Sequence, residues 1–405
     1  GYFAGRAPNQ VFTQAYRQTG LPSAEQRLVC IGSAVPFADW DQFQANPGAV
    51  PTTCADGGAG STTQSSRAPT ITVIAPKQTL PTSLRAELGY RAPLPLNLDA
   101  NIRYTWSRGY GLWGYRDLNL DEARTSTLGN EDRPFFGDSL AIVQRTGAVS
   151  FATSRADRAF GSVYEVRSDR QSDSHQLSLQ ANGRVRPNLQ LNANYTLGLT
   201  RDNGSGSFTQ APTAGNPNAI EWAVAGNDRT HTVNIVFTQT LSPVLELSAT
   251  TRMSSGLPFT PIVNRDINGD GARNDRAFVF DAATVVDTAL ANGMTRLMEQ
   301  VPGRVRHCLS AQKGRIADRN SCRESWTQGL DVRANYRPNL PRVQRRMTMS
   351  VDVRNVLTGL DVALHGRDGA KGWGEGQRAE NVLLNVRGFD RPTNSFRYEV
   401  NEAFG

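Results

Sequence analysis

Apolar and polar residues alternate with a period of two along four pairs of segments, and only a few residues join the members of each pair. "SLRAELGYRA" places Leu84, Ala86, Leu88 and Tyr90 on one face. After "PLP", "LNLDANIRYTW" does the same with Leu96, Leu98, Ala100, Ile102, Tyr104 and Trp106. The second pair, "HQLSLQANGRV" and "LQLNANYTLGLT", meets at "RPN". Its apolar faces are Leu177, Leu179, Ala181 and Val185, then Leu189, Leu191, Ala193, Tyr195, Leu197 and Leu199. "HTVNIVFTQTL" with "LELSATTRM", joined near Ser242-Pro243, forms the third. "TQGLDVRANY" with "RMTMSVDVRNVL", joined through "RPNLPRVQ", forms the fourth. This period predicts strands with one apolar and one polar face.

Strand length separates two architectures. Sandwich strands usually run about five or six residues. These run to about ten, the length that crosses a bilayer core at a tilt. The polar faces carry Gln176, Gln180, Asn182, Gln190, Asn192 and Asn194, suited to a water-filled lumen. Tyr104 and Trp106 fall at one strand end, where an interfacial aromatic girdle belongs. Connections alternate between tight turns and long excursions over 108–174, 201–228, 255–325 and 364–395. Structureless loops of that size are foreign to compact soluble domains but ordinary on the outer side of membrane barrels. The predicted fold is therefore all-β: an antiparallel transmembrane β-barrel, partial and drawn from a larger barrel, with short periplasmic turns and long extracellular loops. Residues 1–80 read as a loop-rich extracellular segment and 81–405 as barrel hairpins with long loops.

Composition alters this picture little. The 405 residues are 38% hydrophobic, and no run approaches the roughly 18 apolar residues of a membrane-spanning helix. The net charge of +7 is almost all arginine, scattered through polar loops among aspartates rather than gathered in a stripe. That pattern describes a solvated surface and argues against a nucleic-acid partner. "GYFAGRAPNQ" carries no signal peptide and reads as a strand end entering a loop, so the chain is expected to be a fragment or a processed product. Cys30 with Cys54 and Cys308 with Cys322 each close a polar loop, which predicts two disulfides and an oxidising compartment. Zinc fits poorly, with His307 beside Cys308 as the sole imidazole near a thiol.

Candidate chemistry centres on "DINGDG". Asp266, Asn268 and Asp270, followed by Gly271, match positions one, three, five and six of a calcium loop. Asn274 takes position nine. Ala277 stands where a bidentate glutamate belongs, leaving Asp275 or Asp281 as substitutes. The same residues also make an ordinary Asn/Asp/Gly turn without metal. His175 and His231 open the first strands of two hairpins, a place for hydrogen bonding at the rim or in the lumen; His307 and His365 lie apart. No G-x-S-x-G, H-E-x-x-H or P-loop occurs, so no catalytic residue is assigned. Arg273, Arg276, Trp40 and Trp222 are candidate ligand contacts in loops.

"SSGLPFTPIVNRDINGDGARNDRAFVFD", "RNSCRESWTQGLDV", "HGRDGAKGWGEGQRAENVLLNVRGFD" and "FRYEVNEAFG" resemble the C-terminal barrel of Oar-like, OmpA-related TonB-dependent receptors. The segment from "GRAPNQVFTQAYRQTG" through "PTTCADG" resembles a mid-barrel loop of that family, so the likeness spans essentially the whole chain. It implies a 22-stranded barrel, a plug inside it, an upstream carboxypeptidase-regulatory-like domain, and transport energised through TonB. The sequence departs from the pattern in carrying no plug and no TonB box, with about nine or ten credible spanning strands. The resemblance thus implies a barrel that moves a bulky solute or polypeptide across the outer membrane. Its partners would be outer-membrane lipid, an extracellular ligand, and TonB acting through a region upstream. The rival expectation is a structural or adhesive surface protein, possible also as a fragment that assembles outside the membrane.

Overall fold

The computed structural model describes residues 1–6, 9–19, 30, 32–51, 53–55, 68–129, 131–204, 211–339, 347–376 and 378–405. An antiparallel meander dominates it. The strands are β1 (Tyr2–Ala4), β2 (Thr82–Leu94), β3 (Leu98–Asp117), β4 (Val163–Arg186), β5 (Leu189–Asp202), β6 (His231–Ser242), β7 (Leu245–Ser254), β8 (Thr327–Tyr336) and β9 (Met349–Val353). Each hydrogen-bonds the next in sequence order, and among the described residues the sheet is open at β1 and β9. A short parallel strand, Ile71–Ile74, pairs with Val163–Val166 at the upper end of β4.

Register shows why the alternating pattern matters. Tyr90, Ile102, Leu179, Tyr195 and Val233 stand opposite one another across five strands, as one apolar rung. The adjacent rung is polar: Arg91, Asn101, Gln180, Asn194, Asn234 and Arg252. Cross-strand hydroxyl pairs, Ser178 with Thr196 at 3.3 Å and Ser254 with Thr327 at 2.7 Å, stitch the polar face. The other face leaves Leu88 75% and Tyr90 67% exposed. A continuous apolar face of this extent is stable only under an apolar cover. Alanines at 92, 100, 181 and 193 form a rung of small residues, and a shallow trough of about 400 Å³ runs over the last three of them beside Ile102, Leu179 and Tyr195.

The upper rim of the same face is aromatic. Tyr104 Oη lies 2.7 Å from His175 Nδ1 and Tyr195 Oη 2.8 Å from His231 Nδ1. The His231 ring stacks on Trp326. Both histidines therefore occupy the rim, on the apolar side. From Leu98 to Trp106 the strand rises roughly 26 Å at about 3.3 Å per residue. A tilt of about 40° leaves roughly 20 Å of height, close to the ~25 Å apolar band of membrane barrels. Above Trp106, β3 and β4 stay paired as far as Asp117 and Tyr164, past the last partners of β2 at Tyr110 and of β5 at Ser172.

Several expectations are corrected here. Leu96 does not join the apolar face, because it and Asn97 turn at φ 67° and 54° to reverse the chain between β2 and β3. The last predicted strand stops at Val353. Asn355 takes a left-handed φ of 51°, its N–H donates to Asp331 Oδ1 at 2.8 Å, and a helix, Val356–His365, begins there. Residues in the first segment include a helix, α1 (Asn9–Arg17), whose Val11 is buried with Trp113 and Val166; much of that segment lies outside the described residues. Both disulfides, Cys30–Cys54 and Cys308–Cys322, are formed, so His307 has no thiolate zinc partner.

The long excursions are not structureless. They fold into a cap with a core of its own. Helix α2 (Thr288–Gln300) starts where Asp287 accepts N–H bonds from Ala289 and Leu290, and its buried stripe is Leu290, Met294 and Leu297. Helix α3 (Gly303–Ser310) adds Val305 and Leu309. Strands β10 (Val382–Asp390) and β11 (Ser395–Val400) form a hairpin that pairs in parallel with Ile262–Val263. "FRYEVNEAFG" thus builds the cap sheet, not a barrel strand. Gly293 lets α2 approach β11: a Cβ there would meet Val400 Cγ2 at 3.0 Å. The 118–162 excursion docks Leu128, Phe135 and Ile142 on Phe389.

Candidate functional site

Three excursions meet at the acidic loop 266–275. Asp266 folds the loop on itself, Oδ1 accepting from Gly269 N at 2.6 Å and Oδ2 from Gly271 N at 2.8 Å. Gly269 and Gly271 adopt φ of 84° and 92°, the left-handed region that favours glycine. Asn268 Oδ1 accepts from Asp270 N, and its Nδ2 donates to Gly215 O at 2.7 Å. Asn274 Nδ2 donates to Ala211 O, while its backbone carbonyl accepts from Thr213. Phe136 N donates to Asn268 O at 2.8 Å. Asp275 Oδ2 accepts from Ile267 N at 2.8 Å. The loop is consequently tied to both the 118–162 and the 203–230 excursions.

The interior is electrostatically tense. Asn268, Asp270 and Asp275 are essentially inaccessible, and Asn274 is buried. Burial, then repulsion from Asp266, pushes the Asp270 carboxyl up to about 7. Burial raises Asp266. Asp275 is raised well above the usual carboxylate range, by burial first; Asp270 and Asp266 add to this and Arg133 opposes it. Two guanidiniums reach the cluster, and both have other partners. Arg155 Nη1 binds Asp117 Oδ2 at 2.6 Å, and its Nη2 donates to the Asp270 carbonyl. Arg133 donates through Nε and Nη2 to Glu131 Oε2 at 3.2 Å and stands 3.6 Å from Asp275 Oδ1. Tyr398 closes the network, its hydroxyl donating to Glu131 Oε1 at 2.7 Å. Burial, then Glu131, holds that phenol well above its ordinary pKa.

The remaining predicted residues disperse. Arg276 is buried, forms a bidentate pair with Glu221 at 3.2 and 2.6 Å, and together with it lines a polar cleft. Asp281 pairs with Lys313 at 3.3 Å and does not enter the loop. Arg273 is exposed. Trp40, 76% exposed, meets Phe43 edge-on in another segment. Trp222 lies under the Arg108 guanidinium, 5.8 Å from its ring centre. A polar cleft of about 320 Å³ opens beside the loop, with Asp132, Asn203, Thr213, Asn216, Glu221 and Arg319 among its walls. Sequence reasoning missed Arg133 and Arg155, which had no signal among so many loop arginines. Replacing Tyr398 with Phe removes a hydrogen bond to a charged acceptor and should cost about 1.5–3 kcal/mol, read as a lower denaturation midpoint at constant m-value.

The outer membrane beta barrel domain family matches residues 12–332. The chain belongs to that family. This outer-membrane barrel protein also shares structural likeness with solved transporters and receptors. The outer membrane transporter YddB from Escherichia coli is 12% identical with a TM-score of 0.38, covering 72% of this chain and 31% of that one. The FrpB iron transporter from Neisseria meningitidis (F3-3 variant) is 13% identical with a TM-score of 0.35, covering 71% and 29%. The siderophore receptor PiuA from Acinetobacter baumannii is 12% identical with a TM-score of 0.25, covering 64% and 29%. The chain spans about a third or less of the length of these structures. No curated protein matches it. The barrel protein is localised to the outer membrane, with its apolar rungs toward lipid.

Proposed function

We propose that this chain is barrel wall and extracellular cap of an Oar-like TonB-dependent receptor that moves a bulky solute or polypeptide across the outer membrane, and that it is not an enzyme. The observation that carries this reading is the polar face of the sheet, with Asn101, Gln180, Asn194, Asn234 and Arg252 in one rung behind an apolar outer wall. Side chains of that kind belong in a hydrated or plugged lumen. Among the described residues the sheet is also open at both ends. Hydrocarbon cannot satisfy the bare N–H and C=O groups of such edges, so further strands complete a wider wall than this sheet supplies. The motif block around "DINGDG" supports the Oar-like assignment, and coupling to TonB would run through a region upstream. The cap, built where the long excursions leave the strands, is the part an extracellular ligand meets first.

The test compares two strains of the producing bacterium, one lacking this protein and one lacking TonB, by the solutes in the periplasm and the polypeptides outside the cell. The expected result is the same missing solute or retained polypeptide in both. Unchanged exchange in the first strain, with loss of surface adhesion, would replace the transport reading with that of an adhesive surface protein.

A further inference from the structure

A turn built only from Asn, Asp and Gly uses its side-chain oxygens on its own N–H groups, as Asp266 and Asn268 do here. Three other oxygens of the same loop do not. Asp270 Oδ2, Asn274 Oδ1 and Asp275 Oδ1 are buried and accept no hydrogen bond. Orphaned buried oxygens are costly, and more so when they carry charge. They come from positions five, nine and ten of a loop whose first six residues follow the calcium pattern. Arg155 is held by Asp117, and Arg133, held by Glu131, stands 3.6 Å from Asp275 Oδ1, close enough to offset charge but not to donate a hydrogen bond. Asp266, less buried than the others, marks the side of the loop open to solvent.

We propose that the loop Asp266–Asp275 binds one calcium ion, with Asp270, Asn274 and Asp275 as side-chain ligands and Asp266 shaping the turn around it. Among the described residues no three carboxylate, imidazole or thiolate groups gather at one point. The set on offer is two carboxylates and an amide, all hard oxygen. Such a set suits calcium, whose six to eight oxygens include amides, carbonyls and water, and is wrong for zinc or copper. Magnesium demands a regular octahedron and gives up its water reluctantly. The ion would neutralise the buried carboxylates at the point where the loop joins two neighbouring excursions, through Phe136, Ala211, Thr213 and Gly215. Its role is to lock the cap, and it stands independently of any transported ligand.

The test uses the full-length protein in detergent, stripped by chelator and then titrated calorimetrically with calcium alone and with magnesium alone. Calcium should bind with a Kd of about 10⁻⁴ to 10⁻³ M, the range of extracellular modules, and slow proteolysis of the 255–325 segment. Asp270→Asn and Asp275→Asn should each weaken binding about tenfold or more, whereas Asp281→Asn should leave it unchanged. Chelation and calcium return on the unsubstituted protein give the same protease readout without any folding risk. Failure of calcium at about 10 mM to bind or to protect the segment would overturn the proposal. So would binding indifferent to both loop substitutions, or magnesium matching calcium.

Discussion

Replacing Arg133 by methionine should destabilise the cap by about 3–5 kcal/mol, the cost of stripping one partner from a buried ion pair. The side chain is 3% exposed, and its stem comes from the 118–162 excursion. Its head donates to Glu131, to the Ala214 carbonyl and to the Arg276 carbonyl at 2.5 Å. It thus joins three excursions with one group. Without it, Glu131 keeps, among the described residues, the Tyr398 hydroxyl, and Asp275 loses a guanidinium that opposes its rise. The measurement is the protection of cap amides, such as Ile267 N, against hydrogen exchange, with the β-strand amides as internal reference. Cap protection should fall while the strands keep theirs. Adding Glu131→Gln to Arg133→Met should recover part of the loss, since it removes the carboxylate left unpaired. A cap as protected as the parent would mean that Arg133 contributes no more than a surface pair.

Leu179→Arg should cost about 2–4 kcal/mol, while Gln180→Arg, one residue on, should cost about 0.5 kcal/mol or less. Leu179 stands in the rung of Ile102 and Tyr195, and Gln180 in that of Asn101 and Asn194. Successive strand residues face opposite sides, so this pair isolates the side facing lipid from position along the strand. Folding equilibria in lipid vesicles would measure both. Near the midplane an arginine on the lipid side must drag water or headgroups inward. On the lumen side it meets amides and hydroxyls. Equal costs would refute the assignment of faces.

Much of this was legible in the sequence wherever interactions are local and periodic. Alternation from Leu84 to Trp106 and from Leu177 to Leu199 sufficed for the hairpins, because a two-residue repeat with a buried or lipid-facing side leaves a single register. The cysteine spacing gave both disulfides. Helix α2 was missed, although Leu290, Met294 and Leu297 stand at helical spacing behind Asp287, because 255–325 read as one long loop. It is easily lost inside an excursion with the composition of a loop. The left-handed Asn355 that ends the alternation was not legible, since its N–H is held by Asp331, distant in sequence.

The acidic loop divides the two kinds of information most clearly. By itself the sequence determined the strand faces, the tight turns, the membrane-type architecture and the turn-forming order of Asp266, Asn268, Asp270 and Gly271. Those follow from backbone geometry and the nearest neighbours along the chain. Only the tertiary structure decided that Asp275 is buried beside Arg133, that Arg276 belongs to Glu221, that Asp281 turns away to Lys313, and that the last hairpin completes the cap. These partners lie tens to hundreds of residues apart. Which carboxylates end up short of counter-charge depends on how three excursions pack, and no local pattern encodes that.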